Sequence, residues 1–116
     1  MRMALQIKRA YRPAASDDGQ RILVDRLWPR GLSKEKAHLH GWLKDLAPSD
    51  RLRRWFDHDP TKWAGFRQRY AAELDANPAP VAELRALLKK GKVTLVYAAR
   101  DEQHNNAVAL KDYLGG

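Results

Sequence analysis

Residues 1–116 predict a small layered α/β fold: a mostly parallel sheet of three or four strands flanked by about four helices, in a single domain. Three observations carry this. The run Val93-Thr-Leu-Val-Tyr97 is short, continuous and β-branched, as a strand buried on both faces should be. Ile22-Leu23-Val24 has the same character. Between the two lie segments of helical period, and helices between early and late strands permit a parallel crossover.

Taken in order, residues 5–9 (Leu-Gln-Ile-Lys-Arg) alternate apolar and polar and read as the first strand. Residues 11–20 form a loop with Asp17-Asp18-Gly19 as its turn signal. The second strand spans 21–27 and ends at Trp28-Pro-Arg-Gly31, because Pro29 cannot donate a ladder hydrogen bond. Ser33 is an N-cap for a single turn over 34–37. Residues 38–46 fit neither period cleanly and read as extended. Leu52, Trp55 and Phe56 make a short helix face.

Asp59-Pro60 pairs an N-cap with proline at the first helical position, opening a helix whose apolar stripe is Trp63, Phe66, Tyr70 and Leu74. Asn77-Pro-Ala-Pro80 breaks it. Val81, Leu84, Leu87 and Leu88 mark the next helix, stopped by Lys89-Lys90-Gly91. The last strand covers 92–97, and a final helix spans 103–114.

Composition bounds the function. Hydrophobic residues make up 44% of the chain, ample for a core, and no apolar run is long enough for a membrane helix. The first residues lack the apolar segment of a signal peptide, so a cytoplasmic protein is expected. Zero cysteines exclude disulfides, thiolate catalysis and cysteine-based zinc sites. The net charge of +8 lies wholly in residues 1–70, which hold 16 of the 22 Lys+Arg and 8 of the 14 Asp+Glu. Such a basic half favours anionic partners, although solubility alone also explains it.

Two polar clusters fall where an α/β fold places ligands, at the carboxyl ends of strands. In Arg100–Asn106, Arg100 offers a planar cation for phosphate or carboxylate. Asn105 and Asn106 would donate amides at a helix start, and His104 could transfer a proton near neutral pH. Asp101 and Asn105 are also ordinary N-caps. In Asp25–Gly31, Arg30 is the candidate for touching an anion. Asp25 is either a general base or the orienting partner of Arg26 or Arg100; a carboxylate beside arginines has a lowered pKa and favours the second role.

His38 and His40 would share one face of a strand, but no third ligand stands at a recognisable spacing, so no metal is assigned. No phosphate loop or nucleophile elbow occurs, and no cofactor is expected. The aromatics Trp55, Phe56, Trp63, Phe66 and Tyr70 read as core. Arg51, Arg53, Arg54, Arg67 and Arg69 flank them and leave a nucleic-acid surface open as an alternative.

These strings resemble a bacterial family of unassigned function, the YeaO-like proteins (domain of unknown function 488). The likeness rests on Leu23-Val-Asp-Arg-Leu-Trp-Pro-Arg-Gly-Leu-Ser33, Ala47-Pro-Ser49, Trp55-Phe56 with His58-Asp-Pro60, and Tyr97-Ala-Ala-Arg-Asp-Glu-Gln-His-Asn-Asn106. It covers nearly the whole chain and implies a small α/β fold without an established activity. A more distant branch of that family carries cysteines after the last strand and in a Cys-His-Arg triplet. The corresponding positions here are Ala98 and the His104-Asn105-Asn106 segment, so thiol-based transfer cannot run on this chain.

The leading expectation is an anion-accepting pocket at the sheet's carboxyl edge for a small phosphorylated or carboxylated molecule. Arg30, Arg100, Asn105 and Asn106 would hold the ligand. Non-covalent acid–base roles would fall to His104 and Asp25. The alternatives are a nucleic-acid-binding accessory protein, and a protein-interaction module whose polar cluster is consumed by internal salt bridges.

Overall fold

The computed structural model of the chain describes residues 4–115. Its strands β1 (Leu5–Arg9), β2 (Gln20–Leu23), β3 (Gly41–Trp42) and β4 (Val93–Tyr97) form a four-stranded sheet in the order β1-β4-β2-β3. Every pairing in it is parallel. Five α-helices accompany it: α1 (Lys34–Ala37), α2 (Asp50–Phe56), α3 (Trp63–Ala76), α4 (Pro78–Lys90) and α5 (Asn106–Tyr113). The expected small α/β fold is the observed one, with the sheet wholly rather than mostly parallel.

The continuous apolar runs become the centre of the sheet. All five residues of β4 are buried, and Arg21, Ile22 and Leu23 of β2 are buried beside it. Alternation divides them between two faces. Val93, Leu95 and Tyr97 join Leu5, Ile22 and Val24 in the main core beneath the helices. The apolar stripe of α3 supplies Phe66, Tyr70 and Leu74 to the same core. On the opposite face Leu23, Val96 and Ala10 pack with Trp28, Leu32, Leu39 and Trp42.

That second face also carries a polar strip. Gln6, Thr94 and Arg21 stand side by side in register across β1, β4 and β2. Gln6 donates to Thr94 Oγ1 at 2.8 Å, and Thr94 donates to the Asp18 carbonyl at 2.6 Å. Asp18 is 2% exposed and accepts from Arg21 Nη1 at 2.8 Å and Lys8 Nζ at 3.0 Å. Burial pushes its carboxyl up, but donors at Ala15 N–H, Lys8 and Arg21 outweigh burial and hold its pKa at about 2. Gly19 makes the tight entry into β2 with φ +66°; a Cβ there would sit 2.4 Å from the Lys92 carbonyl oxygen. The Asp-Asp-Gly turn is therefore a buried ionic anchor as well as a turn.

Several boundaries differ from the sequence reading. The second strand stops at Leu23 rather than 27, because Val24 makes the last ladder contact, Val24 N–H to Val96 O at 3.1 Å. Within 38–46 only Gly41–Trp42 pairs as strand, and Lys44–Leu46 is a 3-10 turn. Asn77-Pro-Ala-Pro80 does end α3, but Pro78 opens α4 at once, since proline is tolerated in a helix's first turn. The last helix begins at Asn106 rather than 103, because Asp101 and Asn105 hold the intervening residues in capping turns.

Candidate ligand-binding cleft

Because β2 and β4 are parallel neighbours, their carboxyl ends open on the same edge of the sheet. The chain segments leaving them, 25–30 and 98–106, line one cleft of about 770 Å³. Asp25, Arg30, Arg100, His104, Asn105 and Asn106 all lie on its wall. The two clusters separated by some seventy residues of sequence thus share a single concavity.

Asp25 ties its edges together. Its Oδ2 accepts from the Ala98 N–H at 2.9 Å, and its Oδ1 accepts from Asn106 Nδ2 at 2.9 Å. Asn106 Nδ2 also donates to the Val24 carbonyl at 3.1 Å, and Trp42 Nε1 donates to the Asp25 carbonyl at 2.7 Å. Among the described residues no arginine hydrogen-bonds this carboxylate, in contrast to the orienting role expected from sequence. Burial pushes its pKa up, outweighing the lowering effect of Asn106, Ala98 and the charge of Arg53. The expected lowered pKa is thus corrected: desolvation wins because the carboxyl's partners are neutral donors.

The 98–106 loop is shaped by its own side chains. Asp101 Oδ1 accepts from the N–H groups of Gln103 and His104, and Oδ2 lies 2.9 Å from His104 Nδ1. The Gln103 N–H, then the His104 side chain, hold the Asp101 carboxyl below its ordinary range despite some desolvation. The His104 ring meets Trp63 edge-on, with centroids 5.3 Å apart. Asn105 is 3% exposed and committed to the helix cap: Oδ1 accepts from Val108 N–H, while Nδ2 donates to the Asp101 carbonyl. Asn106 is likewise engaged, through Nδ2, with the β2 end. Both asparagines therefore build the wall, which explains two poor helix formers at a helix start.

The arginines divide into occupied and free. Arg9, at the end of β1, donates from Nε to the Ala99 carbonyl at 2.9 Å and lies 4.9 Å over the Tyr11 ring. Tyr11 in turn donates to the Arg30 carbonyl at 2.8 Å, fixing that loop's backbone. Arg53 pairs with Asp50 at 2.6 Å. Arg26 Nε is buried with no hydrogen-bond partner, its nearest carboxylate being Asp50 at 3.9 Å. Arg30 and Arg100 are exposed, and among the described residues neither has a carboxylate within 4 Å.

The apolar part of the wall comes from Tyr11, Leu27, Trp28, Pro29, Phe56 and Phe66. Tyr11 and Leu27 are the large hydrophobic side chains left exposed among the described residues, at 41% and 66%. Sequence reasoning missed Arg9, Arg26, Arg53 and His58 as lining residues. Arg9 was within reach, since its register partner is Tyr97, just before the Ala98-Ala99 exit. Arg53 and His58 were not, because only the packing of α2 brings them there.

Other sequence-derived candidates lie elsewhere. His40 Nδ1 accepts from the Arg21 N–H at 3.0 Å, and His38 is the left-handed C-cap of α1. Among the described residues no three His, Cys, Asp or Glu side chains gather to hold a metal. Of the helix arginines, Arg67 pairs with Asp112 and Arg69 stacks 3.9 Å from the Trp55 ring centroid. No helix among the described residues is long and apolar enough to cross a membrane.

A wholly parallel four-stranded sheet with helices defines a small α/β protein, here with an arginine-lined cleft at the sheet's carboxyl edge. The chain belongs to the DUF488 family: the family model described as "Inactive DUF488-N3 subclade" matches residues 4–116. It is 43% identical over 112 residues to uncharacterized protein YeaO of Escherichia coli (strain K12), covering 97% of each chain. It is 41% identical over 112 residues to uncharacterized proteins of Mycobacterium tuberculosis and Mycobacterium bovis, covering 97% of this chain and 94% of theirs. No solved structure matches it.

Proposed function

We propose that the chain binds a small organic anion, a phosphate or carboxylate, in the cleft at the carboxyl edge of its sheet. One observation carries the reading: Arg30 and Arg100 line a common cleft, and among the described residues neither has a carboxylate within 4 Å. An arginine fork without a protein partner is suited to bidentate capture of carboxylate or phosphate. Arg26, whose Nε is buried 3.9 Å from Asp50, adds positive charge to the same wall. The third expectation, a protein-interaction module whose polar cluster is consumed internally, draws on the internal bonds of Asp25, Asp101, His104, Asn105 and Asn106; Arg30 and Arg100 stand outside those bonds among the described residues.

Binding is better supported than catalysis. The chain has no cysteine nucleophile, and the matching family model describes its subclade as inactive. Any turnover would use proton transfer by His104, held by Asp101, with Asp25 at the floor. The nucleic-acid alternative would rest first on Arg51 and Arg54, because Arg53, Arg67 and Arg69 have partners on the protein, two of them in exposed ion pairs.

A thermal-shift panel of phosphate, nucleotides and carboxylic acids tests the reading. A ligand at about 100 times its Kd should stabilise the fold by about 2.7 kcal/mol. Arg30→Ala and Arg100→Ala should leave unliganded stability within about 0.5 kcal/mol and abolish that gain. No shift with any compound, or a shift indifferent to both substitutions, would overturn it. Binding to oligonucleotide that falls steeply with salt and tracks Arg51 and Arg54 would favour the nucleic-acid alternative.

A further inference from the structure

The cleft is lined by groups of opposite charge. Arg30 and Arg100 are exposed cations; Asp25 is a mostly buried carboxylate on the same wall. A carboxylate has about four lone-pair directions. The Ala98 N–H and Asn106 Nδ2 are the hydrogen-bond donors to the Asp25 carboxylate among the described residues, which leaves acceptor capacity on a residue that lines the cleft. Tyr11 and Leu27, the exposed large hydrophobic side chains among the described residues, both line this cleft and add apolar surface that an inorganic anion would leave uncovered. A bare phosphate therefore answers the arginines and nothing else.

We propose that the cleft takes a ring-bearing acid with a phosphate or carboxylate at one end and an N–H or O–H donor at the other, and that Asp25 selects for that donor. This rests on the anion-binding reading above. The physical ground is asymmetry of cost. A ligand with the donor gains a hydrogen bond to a charged acceptor. A ligand without it further desolvates a carboxylate and returns nothing. Asp25 is thus a specificity residue, distinct from the arginines that supply affinity.

Calorimetric titration of the full chain with phenyl phosphate and its 3- and 4-hydroxy and 3- and 4-amino derivatives tests this. At least one donor-bearing compound should bind about tenfold or more tighter than phenyl phosphate, and Asp25→Ala should reduce that preference to about twofold or less. If Asp25→Ala fails to fold, the Ala98 amide resonance in the wild-type chain reports instead, since that N–H donates to Asp25. The donor-bearing ligand should move it further than phenyl phosphate does, and equal movement would overturn the assignment. Equal affinity across the series would remove the role of Asp25 and leave anion binding intact. Failure of every compound to bind would remove the anion reading itself.

Discussion

Replacing Asp18 by asparagine tests the ionic anchor beneath β2 and β4. The wild-type carboxylate receives Arg21, Lys8 and the Ala15 N–H, and Arg21 is itself 2% exposed. Asparagine keeps one acceptor but leaves the guanidinium buried without its counter-charge, and losing one partner of a buried pair costs about 3–5 kcal/mol. The pH dependence supplies a second magnitude. A pKa lowered from 3.8 to about 2 corresponds to about 2 kcal/mol of stability. The folded state favours the ionised form, so this contribution is fully present above the ordinary carboxylate range. It disappears as pH falls through about 2. Asp25, whose pKa is raised, acts with opposite sign, losing stability as pH rises through its own window. Urea unfolding of both proteins at neutral pH and at steps down to about pH 2 measures each term. Asp18→Asn should cost about 3 kcal/mol or more at neutral pH, and the gap should shrink by about 2 kcal/mol in acid. A neutral-pH cost under about 0.5 kcal/mol, or a gap that ignores pH, would refute the reasoning.

Three further substitutions probe the frame around the cleft. Gly19→Ala combines a left-handed φ with a Cβ driven into the Lys92 carbonyl, and should cost about 2–4 kcal/mol in urea unfolding. Tyr70→Phe should cost about 1–3 kcal/mol, because the buried Leu46 carbonyl loses the hydroxyl that donates to it. Asn105→Ala should cost about 1 kcal/mol by removing the cap of α5, read as loss of thermal stability and faster amide exchange at Val108.

The centre of the fold was legible because its signal is local. Val93–Tyr97 is a short β-branched run buried on both faces, so no partner had to be known to see it as a central strand. Trp63, Phe66, Tyr70 and Leu74 declare one helix by spacing, and Asp59-Pro60 declares its start. Ser33 caps α1 as its type suggests, accepting from the Lys36 N–H. What stayed hidden depends on partners far along the chain. Gly41–Trp42 is strand only because Ile22 and Leu23 lie beside it, and two residues carry no period of their own. Asp18 reads as a turn residue until Arg21 and Lys8 are seen to close over it. Within the cleft, the position of both loops at one strand edge was readable from Asp25 and Arg100. The bonding of Asp25 to Ala98 and Asn106, rather than to an arginine, was not: it follows from the parallel pairing of β2 with β4 and the start of α5. Phe56 and Phe66 were read as core from their spacing; they are core, and they also form the cleft's apolar wall.

The central claim is that a small anion enters between the two strand-end loops. Two-dimensional amide NMR of the isotope-labelled chain during titration with phenyl phosphate tests this most directly. The account predicts saturable shifts confined to residues 26–30 and 99–104, lost together in the Arg30→Ala/Arg100→Ala double variant. Shifts clustered instead at residues 51–54 and 67–69, or none at saturating ligand, would contradict it.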